Sequence, residues 1–283
     1  MDRREVLMLS GLTAAATLTM ATSGAQAQEI AEPTSSNLNQ IRESGELRLG
    51  VIPNQEPHFH RDINTGVWSG AALTMANNLA GILGVEVVPH ETTWTNAVTD
   101  LRTNKIDLAF GLQPTPTRAL AVDFSAPLYN NAYVCVTRRG QPEPTEWAEL
   151  NTPDTRLSVV QGTTYEIIAR RLVPQASITA YKSRDDSLLS LVAGHSDYAI
   201  DGAILAIKQI KANPSIGSIT VPTPIVALPS CAAMRIDTDK RLRDIMSVWA
   251  AHNRALGQTR EWVVEAFQLA GVEPEDVPDA VQF

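Results

Sequence analysis

Gly45-Glu-Leu-Arg-Leu-Gly-Val51 opens a short β-rich run, and the pattern after it changes period: Leu73, Ala76, Leu79 and Leu83 recur at the spacing of one helix face. The alternation then repeats. Strands are expected at 47–52, 85–89 and 106–110, with helices at 71–83 and 96–103 between them. Short strands separated by helical patterns predict parallel sheets covered by helices. A similar series follows Tyr129, with strands at 133–137, 157–160 and 198–200 and helices at 165–172 and 187–193. Two α/β units of about 100 residues fit this better than one sheet. Residues 239–267 read as helical, with Leu242, Ile245, Val248 and Trp249 on one apolar face, and no internal repeat is evident.

The first residues read as an address. Arg3 and Arg4 precede an apolar run of small residues from Val6 to Ala21, and Ala25-Gln26-Ala27 supplies a cleavage site. Residues 1–27 are therefore expected to be a signal peptide of the twin-arginine kind, cleaved near Ala27. The net charge of −8 belongs to the mature part. An acidic chain without basic runs argues against nucleic acid as a partner, because that affinity comes from neutralised phosphates. Cys135 and Cys231 are the two cysteines. Such a pair forms a disulfide or stays free, and spacing alone leaves both open.

Chemistry concentrates in loops after strands. Gly111-Leu-Gln-Pro-Thr-Pro-Thr-Arg118 follows a strand, and Thr115-Pro116 is a good helix start. An Arg in a first helical turn opposes the helix dipole unless an anion compensates, so Arg118 is a candidate carboxylate grip; a surface pair with Asp123 is the plainer alternative. Gln161-Gly-Thr-Thr-Tyr-Glu166 has capping-box spacing between Thr163 and Glu166, and Gly162 permits close backbone approach. Asp201, at the end of a strand, suits either a helix cap or an ammonium partner.

These residues and their order resemble the polar amino-acid solute-binding proteins of ABC transporters, bacterial extracellular family 3. The motifs that carry the resemblance are Gly45 to Val51, Gly66-Val-Trp-Ser-Gly70, Trp94 before a helix, Asn104-Lys-Ile-Asp-Leu108, Thr115-Pro-Thr-Arg118 with Val122-Asp-Phe-Ser125, Gln161-Gly-Thr-Thr164 and Asp197-Tyr-Ala-Ile-Asp201. The resemblance implies an α/β, two-lobed periplasmic binding protein of type II, each lobe a mostly parallel sheet flanked by helices, joined by two hinge strands. Lobe 1 is expected at 45–129 and 232–283, lobe 2 at 130–231 with hinge strands at both ends, and 28–44 as a linker with a short helix. It implies that Arg118 grips the ligand carboxylate beside Gly111 and Gln113, that Thr163 and Thr164 donate from the other lobe, that Asp201 takes an α-ammonium, and that Trp94 lies on the ligand. It also brings the segments of Cys135 and Cys231 side by side, so a hinge disulfide is expected. The partners implied are a small zwitterion and a membrane permease, for a monomer in the periplasm.

The chain departs from the family where a ligand side chain would be read. Gln55-Glu-Pro-His58 and Gly70-Ala-Ala72 stand at those places, which makes Glu56 and His58 candidates for the ligand's distal end. Trp68, Trp147, Trp249 and Trp262 read as packing aromatics. The sequence contains no metal-ligand spacing, phosphate loop or nucleophile elbow, so neither metal nor cofactor is expected. The alternative function is a periplasmic enzyme on the same fold, a cyclohexadienyl or arogenate dehydratase, with Glu56 or His58 as proton donor.

Overall fold

The computed structural model describes residues 36–277; the leader expected at 1–27 lies outside them. The first half contains α1 (Asn37–Ser44), β1 (Glu46–Val51), β2 (His60–Arg61), β3 (Trp68–Ser69), α2 (Ala71–Leu83), β4 (Glu86–Glu91), α3 (Ala97–Arg102), β5 (Leu108–Leu112), α4 (Pro116–Ala119) and β6 (Val122–Phe124). Then come β7 (Tyr129–Arg138), β8 (Arg156–Val160), α5 (Thr164–Leu172), β9 (Ser177–Tyr181), α6 (Arg184–Val192), β10 (Tyr198–Gly202), α7 (Ala203–Ala212) and β11 (Gly217–Thr220). The chain returns through β12 (Ala227–Arg235) to α8 (Arg241–Ala255) and α9 (Gln258–Leu269).

Each lobe has the same centre. In the first, β4, β1 and β5 run parallel in that order; in the second, β9, β8 and β10 do so. Antiparallel β12 and β6 complete the first lobe, and antiparallel β7 and β11 the second. Both lobes also fasten their first parallel strand in one way. Asp107, just before β5, accepts Arg48 Nε at 3.0 Å and Nη2 at 2.6 Å; Asp197, just before β10, accepts Arg156 Nε at 2.8 Å and Arg138 Nη2 at 2.6 Å. The sequence shows no repeat, yet the two lobes repeat this device.

Two long strands join the lobes. The first part of β7 pairs with the first part of β12, Tyr129 opposite Ser230 and Ala132 opposite Ala227. Beyond that contact they separate: β7 joins β10 from Tyr133 to Thr137, and β12 joins β5 from Cys231 to Met234. Each strand is thus an edge of one lobe for half its length and part of the other for the rest.

Helices cover both faces of the sheets. The buried Leu47, Leu49 and Val51 of β1 pack with Met75, Ala76 and Leu79 of α2 and with Met246 and Val263 of α8 and α9, while Leu101 and Ile106 close the other face. The helical tail is broken in two at Gly257, whose φ of 78° ends one helix and starts the next. Trp249 and Trp262, on either side of the break, stack at 5.8 Å in the first lobe.

The hinge disulfide expected from Cys135 and Cys231 is not formed; both are free and buried. Register explains why. Extending the β7–β12 pairing sets Cys231 opposite position 128, seven residues from Cys135, or about 23 Å at roughly 3.3 Å per residue. A disulfide needs Cα atoms within about 7 Å. The two strands do run side by side, as expected, but the cysteines sit beyond opposite ends of the shared segment. Burial pushes both thiols up, Cys135 to about 12 and Cys231 to about 11, so neither is nucleophilic at neutral pH. Intact mass after alkylation without reductant is expected to show no label on the native protein and two labels after denaturation.

Candidate functional site

The carboxyl ends of the parallel strands face one another across the lobes, the position where open α/β sheets bind ligands. A narrow cleft with a cavity volume of about 20 Å³ lies there, with His58, Trp94, Gly111, Gln113, Arg118 and Thr163 among its lining residues. These six were expected together from sequence, and the structure brings them together. Leu112, Tyr129, Asn131, Tyr165 and Leu205 complete the wall; the sequence reading missed them. Tyr165 directly follows Thr163-Thr164, and Tyr129 and Asn131 open the hinge strand, so adjacency was the available signal.

Arg118 comes from the loop after β5. Its backbone N–H donates to the cap Thr115 Oγ1 at 3.2 Å, but α4 is only four residues long. The expected helix dipole is therefore too short to matter, which leaves the guanidinium itself as the candidate anion grip. Nη1 donates to the Gln113 carbonyl at 2.9 Å and Nη2 to the Gly162 carbonyl of the other lobe at 3.3 Å. The plainer pairing with Asp123 does not occur, because Asp123 accepts Lys240 Nζ at 2.7 Å. Burial pulls the Arg118 pKa below its ordinary value, by disfavouring the charged form.

Gly111 and Trp94 form one piece of the wall. Gly111 has φ +84°, and a Cβ there would lie 3.1 Å from the Trp94 ring; only glycine suits both constraints. Trp94 Nε1 donates to Gln55 Oε1 at 3.1 Å, which fixes the indole across the cleft. A second chamber of about 240 Å³ shares Trp94, Thr163 and Tyr165 with the first and is lined also by Gln55, Thr92, Lys182, Arg184 and Asp185.

Three expectations need correction. Thr163 caps α5 by position, but its hydroxyl donates to the Val160 carbonyl at 2.6 Å, and Glu166 accepts the Gly162 N–H at 2.9 Å, so the capping box is not made. Thr164 stands behind the wall, accepting from the Tyr133 hydroxyl at 2.6 Å and donating to Gln113 Oε1 at 3.5 Å. Glu56 faces a separate surface pocket, where Lys208 of the other lobe and His60 hold it at 3.1 and 3.2 Å.

The fourth correction concerns Asp201, which lines neither chamber. Its Oδ2 accepts Arg184 Nε at 2.7 Å and contacts Nη2 at 2.6 Å, while Oδ1 accepts the Gly202 N–H at 2.8 Å. Arg184 occupies the first turn of α6, so the dipole argument made for Arg118 applies in fact to Arg184, with Asp201 as the compensating anion. The sequence signal was present and attached to the wrong arginine.

His58 is buried in the wall, stacked on Tyr129 at 5.9 Å between centroids, with Nε2 3.3 Å from the Tyr129 hydroxyl. Gly70 holds this loop: Ala71 and Ala72 donate to the Pro57 and His58 carbonyls, and a Cβ on Gly70 would sit 2.6 Å from the latter.

Residues 47–265 match the bacterial extracellular solute-binding proteins, family 3. The chain belongs to this family. It is 27% identical over 207 residues to a cyclohexadienyl dehydratase of Pseudomonas aeruginosa, covering 72% of this chain and 75% of that one. Among solved structures, an ancestral amino-acid-binding protein described as a precursor of cyclohexadienyl dehydratase superposes with TM-score 0.71 at 26% identity, covering 83% of this chain and 99% of that one. A solute receptor for L-cysteine from Neisseria gonorrhoeae superposes with TM-score 0.72 at 25% identity, covering 87% and 99%. The two-lobed α/β fold expected from sequence is the fold of these neighbours.

Burial lowers the His58 pKa from 6.5 to about 4. The ring is neutral in the folded protein, and as pH falls through 6.5 the unfolded chain takes the proton first. Stability is therefore lost on acidification, by about 2 kcal/mol at pH 5 and about 3 kcal/mol at pH 4. Urea midpoints for wild type and His58→Gln at pH 7 and pH 5 check this; the variant is expected to lose less stability on acidification by that amount.

Proposed function

We propose that this protein is the solute-capturing component of an ABC importer: exported to the periplasm by its twin-arginine leader, it closes as a monomer on a small amino-acid-like carboxylate and passes it to a membrane permease. Arg118 carries the reading. It is a guanidinium with no acidic partner among the described residues, in a cleft lined also by Trp94 and by Thr163 of the opposite lobe, whose Gly162 carbonyl it reaches. A fork of this shape suits a carboxylate, and closing the second lobe over it supplies a state that a permease can distinguish from the empty one.

The dehydratase relative raises the alternative of turnover. That chemistry needs a proton donor in the cleft. Glu56 faces away, held by Lys208 and His60, and His58 carries a proton only near pH 4 and below. Capture without turnover is therefore the reading that the side chains support. Cyclohexadienyl acids incubated with the protein are expected to remain unchanged; aromatic product would reverse this.

A thermal-shift screen of small carboxylic acids supplies the working ligand, since a ligand at a hundred times its dissociation constant stabilises by about 2.7 kcal/mol. Arg118→Ala is expected to weaken that ligand by about 30-fold or more in calorimetric titration while the circular dichroism spectrum stays unchanged. Arg118→Lys is expected to recover only part of the loss, because a point charge cannot reproduce the fork. Unchanged affinity in Arg118→Ala would remove the carboxylate from this position.

A further inference from the structure

We infer that the acid gripped by Arg118 carries a neutral hydroxyl, rather than an ammonium, on its α carbon; the inference rests on the reading of Arg118 given above. An α-ammonium lies two bonds from the carboxylate that Arg118 holds, so its counter-charge must sit in the same chamber. Asp201 is the carboxylate placed for that role by strand position, and it is spent. Both of its oxygens are engaged by protein donors, Arg184 on one and the Gly202 amide on the other. Arg184 and Asp201 are 8% and 4% exposed. A buried pair of this kind does not release its carboxylate cheaply, because the arginine would then be left uncompensated.

Among the described residues that line the chamber of Arg118, no acidic side chain replaces it. The charged residues lining the two chambers are Arg118, Lys182, Arg184 and Asp185. Asp185 lines the second chamber and not the one that Arg118 lines. With Asp201 behind Arg184, the cleft keeps a net positive charge, which favours a net-anionic ligand over a zwitterion. His58 adds no anion; it is neutral, with its Nε2 beside the Tyr129 hydroxyl.

What the chamber of Arg118 does offer is an acceptor. Asn131 is 4% exposed, lines the chamber, and its Oδ1 has no hydrogen-bond partner. Buried carbonyl oxygens are rarely left so, and a ligand hydroxyl donating to it satisfies the atom without bringing a charge. Hydroxyl and ammonium are close in size, so the discrimination is electrostatic rather than steric. The substrate class assigned is the 2-hydroxy carboxylic acids.

The test is calorimetric titration of the purified protein with matched pairs that differ only at the α position: lactate and alanine, malate and aspartate, 2-hydroxyglutarate and glutamate, 3-phenyllactate and phenylalanine. The tightest 2-hydroxy acid is expected to bind at least about tenfold more tightly than its 2-amino partner. A 2-amino acid that binds equally or better, and loses its binding in Arg118→Ala, overturns this inference and leaves the Arg118 reading standing. Should no acid of either series bind, the Arg118 reading itself falls and takes this one with it. Arg184→Gln, which frees Asp201, is expected to move the hydroxy-to-amino affinity ratio at least about tenfold toward the amino acid, and Arg184→Lys to retain the wild-type order; an unmoved ratio in a folded Arg184→Gln protein overturns the role given to the pair. If Arg184→Gln does not fold, the wild-type pairs decide alone.

Discussion

The antiparallel contact between β7 and β12 is the constraint on which the rest depends. Four residues of each strand pair directly, from Tyr129 opposite Ser230 to Ala132 opposite Ala227. Past that short ladder the strands diverge into different lobes, so each lobe is anchored by a strand that begins in the other's neighbourhood. A ladder this short can pivot while the packed lobes on either side remain rigid. It also fixes what the hinge wall can present to the cleft. Tyr129 and Asn131 alternate with Asn130 and Ala132 along β7, so the two residues that line the site share one face of the strand.

From that hinge the lobes build outward by one rule applied twice. In each, an arginine on the first parallel strand is clamped by an aspartate placed just before the third, Arg48 by Asp107 and Arg156 by Asp197. The clamps sit at the amino ends of the strands, away from the cleft. Their effect at the other end is positional: with the strands held in register, β1, β4 and β5 deliver Gln55, Trp94 and Gly111, while β8 and β9 deliver Thr163 and Arg184. The cleft is the meeting place of carboxyl ends from two sheets. No single loop could present both faces of it.

How much of this the sequence discloses follows from how local each signal is. Period and turn chemistry are local, so the alternation of strands and helices, the two α/β units and the loops bearing Gly111, Arg118 and Thr163 are legible. The hinge disulfide was not, because it depends on the register of two strands whose paired segments lie some hundred residues apart in the chain. Adjacency of the strands was a sound expectation; the offset between Cys135 and Cys231 is visible only once Ala132 is seen opposite Ala227. Glu56 shows the same limit. Its loop is where a ligand's distal end would be read, but the side chain turns to Lys208 on α7, a helix whose proximity no local pattern reveals. The short β6 and β11 strands carry too few residues to display a period at all.

The Arg184–Asp201 pair ties these threads together. Charged residues are seldom this buried unless paired, and a buried pair contributes little net stability, because the desolvation of both groups offsets their attraction. Apolar residues of similar volume would hold α6 against β10 at no such cost. The structural alternative, that Asp201 merely caps α7, accounts for its bond to the Gly202 amide but not for an arginine buried beside it in the first turn of α6, where the helix dipole opposes it. The pair makes physical sense as a device that cancels a negative charge which the fold places at the end of β10. With that charge cancelled, the charge facing the first chamber is that of Arg118, whose guanidinium donates to the Gln113 and Gly162 carbonyls near Tyr133 and Tyr165. On the proposed reading of Arg118, the specificity of the cleft depends less on which residues line it than on which charges the protein has already neutralised before a ligand arrives.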